Sequence, residues 1–201
     1  MSKQNGFTLL ELLIVTMITI LAATLATPSV LRGLRQGEVD RYTQMLEAGI
    51  FSLRAKLGTS KTSCSLFFSP VNTFKSPQEL IEVQQMNGGR SKALRIQCCN
   101  SSMGCQDNPS GFRIMDREGL REASNVSISA DRARFDLSPP GTSAQSNTLT
   151  LLVRSNQWDH QALHLANGDS RLRTRCLQVT GSGGVVSGTW NENRCSQGGS
   201  G

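Results

Sequence analysis

The 201-residue chain is poor in the residues from which catalytic and metal centres are usually built: it has two histidines, one tyrosine and two tryptophans, and aromatics make up 5% of it. His160 and His164 stand four apart, but no H-E-x-x-H acid lies between them and the local pattern reads as strand. Asp159 beside His160 finds no G-x-S-x-G elbow that would complete a nucleophile setting. Gly181-Ser182-Gly183-Gly184 lacks the lysine of a phosphate loop and follows no βαβ pattern, so it reads as a turn. Charge is sparse too, 18% against 37% hydrophobic, which argues against a disordered chain. A second long apolar run is missing, which argues against a polytopic membrane protein. No repeat is visible, and the length suits one domain plus an extra element. The expectation is a chain that is not an enzyme and has no cofactor.

What the sequence does have begins with six cysteines, which read better as a disulfide framework than as a metal site and point to an oxidising compartment. Lys and Arg number 21 against 15 Asp and Glu, a net charge of +6 that permits acidic partners without naming one. A chain destined for an oxidising compartment needs an exporting element, and the N-terminus supplies it. Residues 1–6 are polar and carry Lys3; from Phe7 to Pro28 the only charge is Glu11. At helical rise that run spans roughly 33 Å, about the thickness of a bilayer core. Lys3 keeps residues 1–6 on the cytoplasmic side and the C-terminal body outside, although Arg32 and Arg35 weaken the contrast. The plain alternative is a secretory signal cut near Thr24-Leu25-Ala26. Glu11 argues against it, because a carboxylate in an apolar helix is costly and marks a site with a partner.

The stretch Gly6-Phe7-Thr8-Leu9-Leu10-Glu11-Leu12-Leu13-Ile14-Val15 resembles the N-terminal motif of type IV pilins and pseudopilins, with Pro28 at the far end of the apolar run. The resemblance implies cleavage by a prepilin peptidase between Gly6 and Phe7, methylation of the new Phe7 amine, and passage through an inner-membrane assembly platform. In a stack of parallel helices that amine can approach Glu11 of a neighbouring subunit, and a buried ion pair of this kind sets register.

Pro28 should kink or break the helix, and Gly33 and Gly37 loosen it further. Beyond it, Val39, Tyr42, Leu46, Ile50, Leu53 and Leu57 recur at three- and four-residue steps with charged residues between them. This reads as an amphipathic helix that covers a sheet and ends at Gly58 in a left-handed cap. The expected segments are a leader at 1–6, a membrane and assembly half at 7–28, an amphipathic half at 29–57 and a β-rich, disulfide-containing body at 58–201. In the body, short runs bounded by turn residues predict strands at 64–69, 94–99, 112–117, 126–130, 133–137, 148–153, 162–165, 171–179 and 185–190, with a long loop over 70–90. The fold class is α+β, a long N-terminal helix on antiparallel sheet.

Phe135-Asp136-Leu137-Ser138-Pro139-Pro140-Gly141, the alternation over 148–153 and Arg175-Cys176-Leu177-Gln178-Val179 are similar to the C-terminal half of the GspH/FimT group of minor pilins and pseudopilins. Cys176 in a strand and Cys195 just past the next hairpin favour a bridge tying the C-terminus, which that resemblance supports. Cys98 and Cys99 point to opposite faces of a strand and bond to different partners, Cys64 and Cys105 being the remaining candidates in either order. A metal site from Cys98, Cys99 and Cys105 lacks paired C-x-x-C spacing.

Some FimT-type minor pilins bind DNA. Residues 183–188 carry no arginine where that motif would place them, but Arg171, Arg173 and Arg175 alternate along a predicted strand, with Arg194 near the end. They could hold phosphates, or simply guard an edge strand with charge. The resemblance implies a minor pilin that primes assembly at the tip of a type IV pilus. The alternatives are an H-type pseudopilin of a type II secretion system and a DNA-binding minor pilin for transformation.

Overall fold

A computed structural model describes residues 8–84, 90–92, 98, 114, 124–139, 142, 147–156, 172–191 and 193–197. Helix α1 runs unbroken over Leu9–Ser60. The helix is continuous across Pro28, so the outright break that the sequence allows there does not occur; proline's fixed φ is itself helical. Nor does the helix stop at Gly58. The Thr59 hydroxyl donates to the Lys56 carbonyl at 2.9 Å and the Ser60 hydroxyl to the same oxygen at 2.8 Å, which covers a terminal acceptor and carries the helix two residues further. Lys61, not a glycine, takes the left-handed cap at φ 50°, ψ 34°.

After the cap come β1 (Cys64–Phe68), α2 (Pro77–Leu80), β2 (Ile81–Gln84), β3 (Arg90–Lys92), β4 (Val126–Ala130), β5 (Arg134–Leu137), β6 (Leu149–Ser155), β7 (Arg175–Val179), β8 (Val185–Asn191) and β9 (Arg194–Ser196). The loop expected over 70–90 is corrected by α2 and β2. Pro77 opens the short helix as a residue with no amide to lose, and Glu79 and Leu80 bond back to the Ser76 carbonyl. The strands expected at 94–99, 112–117 and 162–165 lie outside the described residues except for Cys98 and Ile114, neither of which is in a strand.

The described strands form two antiparallel sheets, one ordered β3-β2-β1-β5 and the other β4-β6-β7-β8-β9. Helix α1 lies across the second sheet. Its stripe of Val39, Tyr42, Leu46, Ile50, Leu53 and Leu57 is buried. It meets Val126, Ile128 and Ala130 of β4, Leu149, Leu151 and Val153 of β6, and Leu177 and Val179 of β7 in one continuous core. Those sheet residues alternate along each strand and stay in phase through the register pairs Ile128↔Val153 and Leu151↔Leu177, so one face of three strands is apolar. Leu66 and Phe68 of β1 and Phe135 and Leu137 of β5 extend the same core into the first sheet. At Gly49 the helix admits another segment: a Cβ there would stand 1.8 Å from the carbonyl oxygen of Ile114, so only a glycine lets that backbone come so close.

Candidate functional site

Among the described residues, the large apolar side chains of the N-terminal part of α1 do not pack on the body. Leu9, Leu13, Val15, Ile18, Leu21, Leu25 and Leu34 are all exposed, whereas the stripe that starts at Val39 is buried. This portion is long and apolar enough to cross a membrane, and none of it is buried in the body. Its hydroxyls are satisfied internally. Thr16 donates to the Leu13 carbonyl at 2.9 Å, Thr24 to Leu21 at 2.8 Å and Thr27 to Ala23 at 2.6 Å, and Thr19 bonds the Val15 carbonyl likewise. Threonine hydroxyls that bond their own helix leave only methyl and methylene surface facing outward.

Thr8 caps this arm. It sits in extended conformation, and its side-chain oxygen accepts from the Glu11 amide at 3.2 Å. Thr8-x-x-Glu11 is the spacing of a capping box, and a carboxylate in the first turn suits the positive end of the helix dipole. Glu11 thus has a local reason to be tolerated at the start of the helix. Gly6 and Phe7 lie outside the described residues; Pro28 lies within the continuous helix.

The cysteines tie the far end. Cys176 is bonded to Cys195, with Cα atoms 5.7 Å apart, and Cys64 to Cys98, with Cα atoms 5.5 Å apart. The second bond removes Cys98 from the metal alternative; Cys99 and Cys105 lie outside the described residues. Strands β7 and β9 are separated by β8, and two steps in a flat sheet would part them by about 9.6 Å. The tail therefore curls over the sheet. Gly188 makes room, since a Cβ there would stand 2.1 Å from the Ser196 carbonyl oxygen, and Cys176 is fully buried beneath the crossing.

The strand expected over 171–179 is shorter among the described residues. Strand β7 starts at Arg175, Arg173 precedes it, and Arg171, with His160, His164 and Asp159, lies outside the described residues. The reason is a competing acceptor: the Arg173 amide donates to the side-chain oxygen of Gln36 on the helix at 2.8 Å instead of entering the ladder. The Arg175 guanidinium contacts Asp40 at 2.6 Å and donates to the Thr189 hydroxyl at 2.9 Å. Burial alone would raise the Asp40 pKa, but hydrogen bonds from Arg175 and Gln36 and the charges of Arg175 and Arg173 outweigh it and hold the carboxyl below its usual range. Asp40 in turn raises the Arg175 pKa, chiefly through that hydrogen bond. Strand β7 is the central strand of its sheet, so Arg175 does not guard a sheet edge. Arg194, on the terminal strand β9, is exposed. Nothing in the sequence around Gln36 or Asp40 marks either as a partner of a strand far along the chain.

Residues 1–27 match the family model of the prokaryotic N-terminal methylation motif. Among curated proteins and among solved structures, none matches the chain. That motif implies processing by a prepilin peptidase and assembly with other pilins, the role of a structural subunit. With the motif at the head of a long helix laid on antiparallel sheets, the chain is a type IV pilin- or pseudopilin-like protein in its N-terminal motif and in its α+β arrangement.

Proposed function

We propose that the chain is a minor pilin, a low-copy subunit held in the inner membrane by its helical arm and then incorporated at or near the tip of a type IV pilus, where it primes assembly. The observation that carries this reading is the arm itself: apolar all round, unpartnered by its own body and bearing one acidic residue, Glu11, near its start. An apolar surface with no internal partner has to be covered by lipid or by other helices. The six cysteines and the strapped tail suit a body that works outside the cell.

Hydrolysis of the Gly6–Phe7 bond frees an α-amine on Phe7, and methylation leaves that nitrogen basic. In a bundle of parallel arms the cationic amine of one subunit meets Glu11 of the next. Two unit charges 4 Å apart attract by about 4 kcal/mol at an effective dielectric of 20, and either left alone in apolar surroundings is penalised. The pair therefore selects one axial register. Glu11→Ala should leave the body folded and reduce recovery of the chain in sheared filaments at least tenfold; equal recovery would refute the docking role.

A knockout scored for twitching and for protein secretion separates the pilus from a type II secretion system, whose H-type pseudopilins share this plan. Loss of secretion with twitching intact would transfer the chain to the secretion system. A DNA-binding role would rest on Arg171, Arg173, Arg175 and Arg194, of which Arg175 already serves Asp40. Unchanged salt-dependent DNA binding after joint substitution of Arg171, Arg173 and Arg175 would remove it.

A further inference from the structure

The arm and the body meet at residues 33–40. Two glycines, Gly33 and Gly37, lie there, and a Cβ built on either meets nothing within 4 Å. Packing therefore does not require a glycine at either place. What glycine does at an open helical position is lower the cost of bending or unwinding.

Against this softness stands a set of polar contacts. The Gln36 amide grips the backbone of Arg173 from both sides, accepting its N–H at 2.8 Å and donating toward its carbonyl at 3.4 Å. The same amide nitrogen donates to Asp40 at 2.8 Å, and Asp40 takes the Arg175 guanidinium at 2.6 Å. On the other flank, the Asn125 amide donates to Glu38 at 3.1 Å. Gln36 and Asp40 are thereby tied to the central strand β7 and its lead-in, and Glu38 to the lead-in of β4, with Gly37 inside this span and Gly33 three residues before it.

We propose that residues 33–40 are a latched hinge: Gly33 and Gly37 make the helix easy to bend where the arm leaves the body, and the clasp of Gln36 and Asp40 on Arg173 and Arg175 holds it straight. Opening the clasp frees the body to tilt about the arm while Val39 and the rest of the buried stripe keep it attached. Under the filament reading, that tilt lets the body reorient as its arm moves from membrane to bundle. This consequence rests on the filament reading, whereas the hinge is a property of the isolated chain and is tested there.

The test uses the full chain in detergent micelles, spin-labelled through unnatural amino acids at Ile18 and Ser182 so that the disulfides are spared. Electron–electron resonance distances should be narrowly distributed in the unmodified chain. They should broaden at least twofold in Gln36→Ala/Asp40→Asn and narrow again when Gly33→Ala/Gly37→Ala is added. A clasp variant as narrow as the parent, or no narrowing with the alanines, overturns the hinge. If the clasp variant does not fold, Gly33→Ala/Gly37→Ala alone decides: with the clasp intact, amide exchange over 33–37 should slow by about fivefold, the factor one such exchange carries in a helix. Unchanged exchange overturns the proposal.

Discussion

The two halves of helix α1 share a backbone geometry and differ in everything else. From Leu9 to Leu34 the large apolar residues cover all sides and are exposed; from Val39 to Leu57 they form one stripe, and it is buried. The first half is an apolar surface awaiting a partner, while the second has found its partner in the chain's own sheet. Helical structure alone therefore says little about use. What separates the halves is whether the apolar positions recur on one face or on every face. The polar residues at the junction, Gln36, Glu38 and Asp40, face the body and mark where one regime gives way to the other.

The comparison breaks most visibly if one residue is truncated in each half. Leu46→Ala, at a fully buried site, should cost the body about 2–5 kcal/mol in chemical unfolding of the full chain. Leu13→Ala should leave the same transition within about 0.5 kcal/mol; equal losses would mean that the arm packs on the body. Next in size is the strap at the far end of the sheet. Replacing Cys176 and Cys195 together by alanine should cost about 3 kcal/mol in the loop-entropy account, read as a fall in the denaturant midpoint.

The junction gives a smaller, pH-dependent effect. The folded pKa of Asp40 lies below its ordinary value, so its contribution is present above the ordinary carboxylate range and fades as pH falls through the lowered value. Because the pair is partly exposed and screened, Asp40→Asn should cost about 1 kcal/mol at pH 7, with the difference from the parent shrinking as the solution is acidified. A difference independent of pH would mean that Asp40 acts by shape and not by charge. The smallest effect is expected inside the stripe. Burial pushes the Tyr42 hydroxyl far above its usual pKa, and that hydroxyl has no hydrogen-bond partner among the described residues. Tyr42→Phe should therefore leave stability unchanged or raise it by up to about 1 kcal/mol in the same unfolding assay.

Local patterns made much of this architecture legible. The three- and four-residue spacing from Val39 to Leu57 marks the packed stripe, and the alternation in Val126–Ala130 marks a strand that the structure places over the same residues. A cysteine in a strand and another beyond the next turn are close in sequence, which is why Cys176 and Cys195 could be considered together. Features that depend on distant partners were not legible. Asp40 and Arg175 are 135 residues apart, and nothing in either neighbourhood announces the other. The late helix end depends on two hydroxyls turning back to one carbonyl, a choice that competes with the stop signal of Gly58. Strand β9 is three residues long and exists because β8 and the disulfide hold it. The N-terminal motif was the most legible element because its chemistry is linear: a cut site, an amine and an acid four residues further on.

The account stands on that chemistry, and the intact mass of the mature chain tests it most directly. The prediction is a chain that begins at Phe7, lacks residues 1–6 and carries one added methyl group. A chain that begins near Pro28, or one that keeps its first six residues, would contradict it.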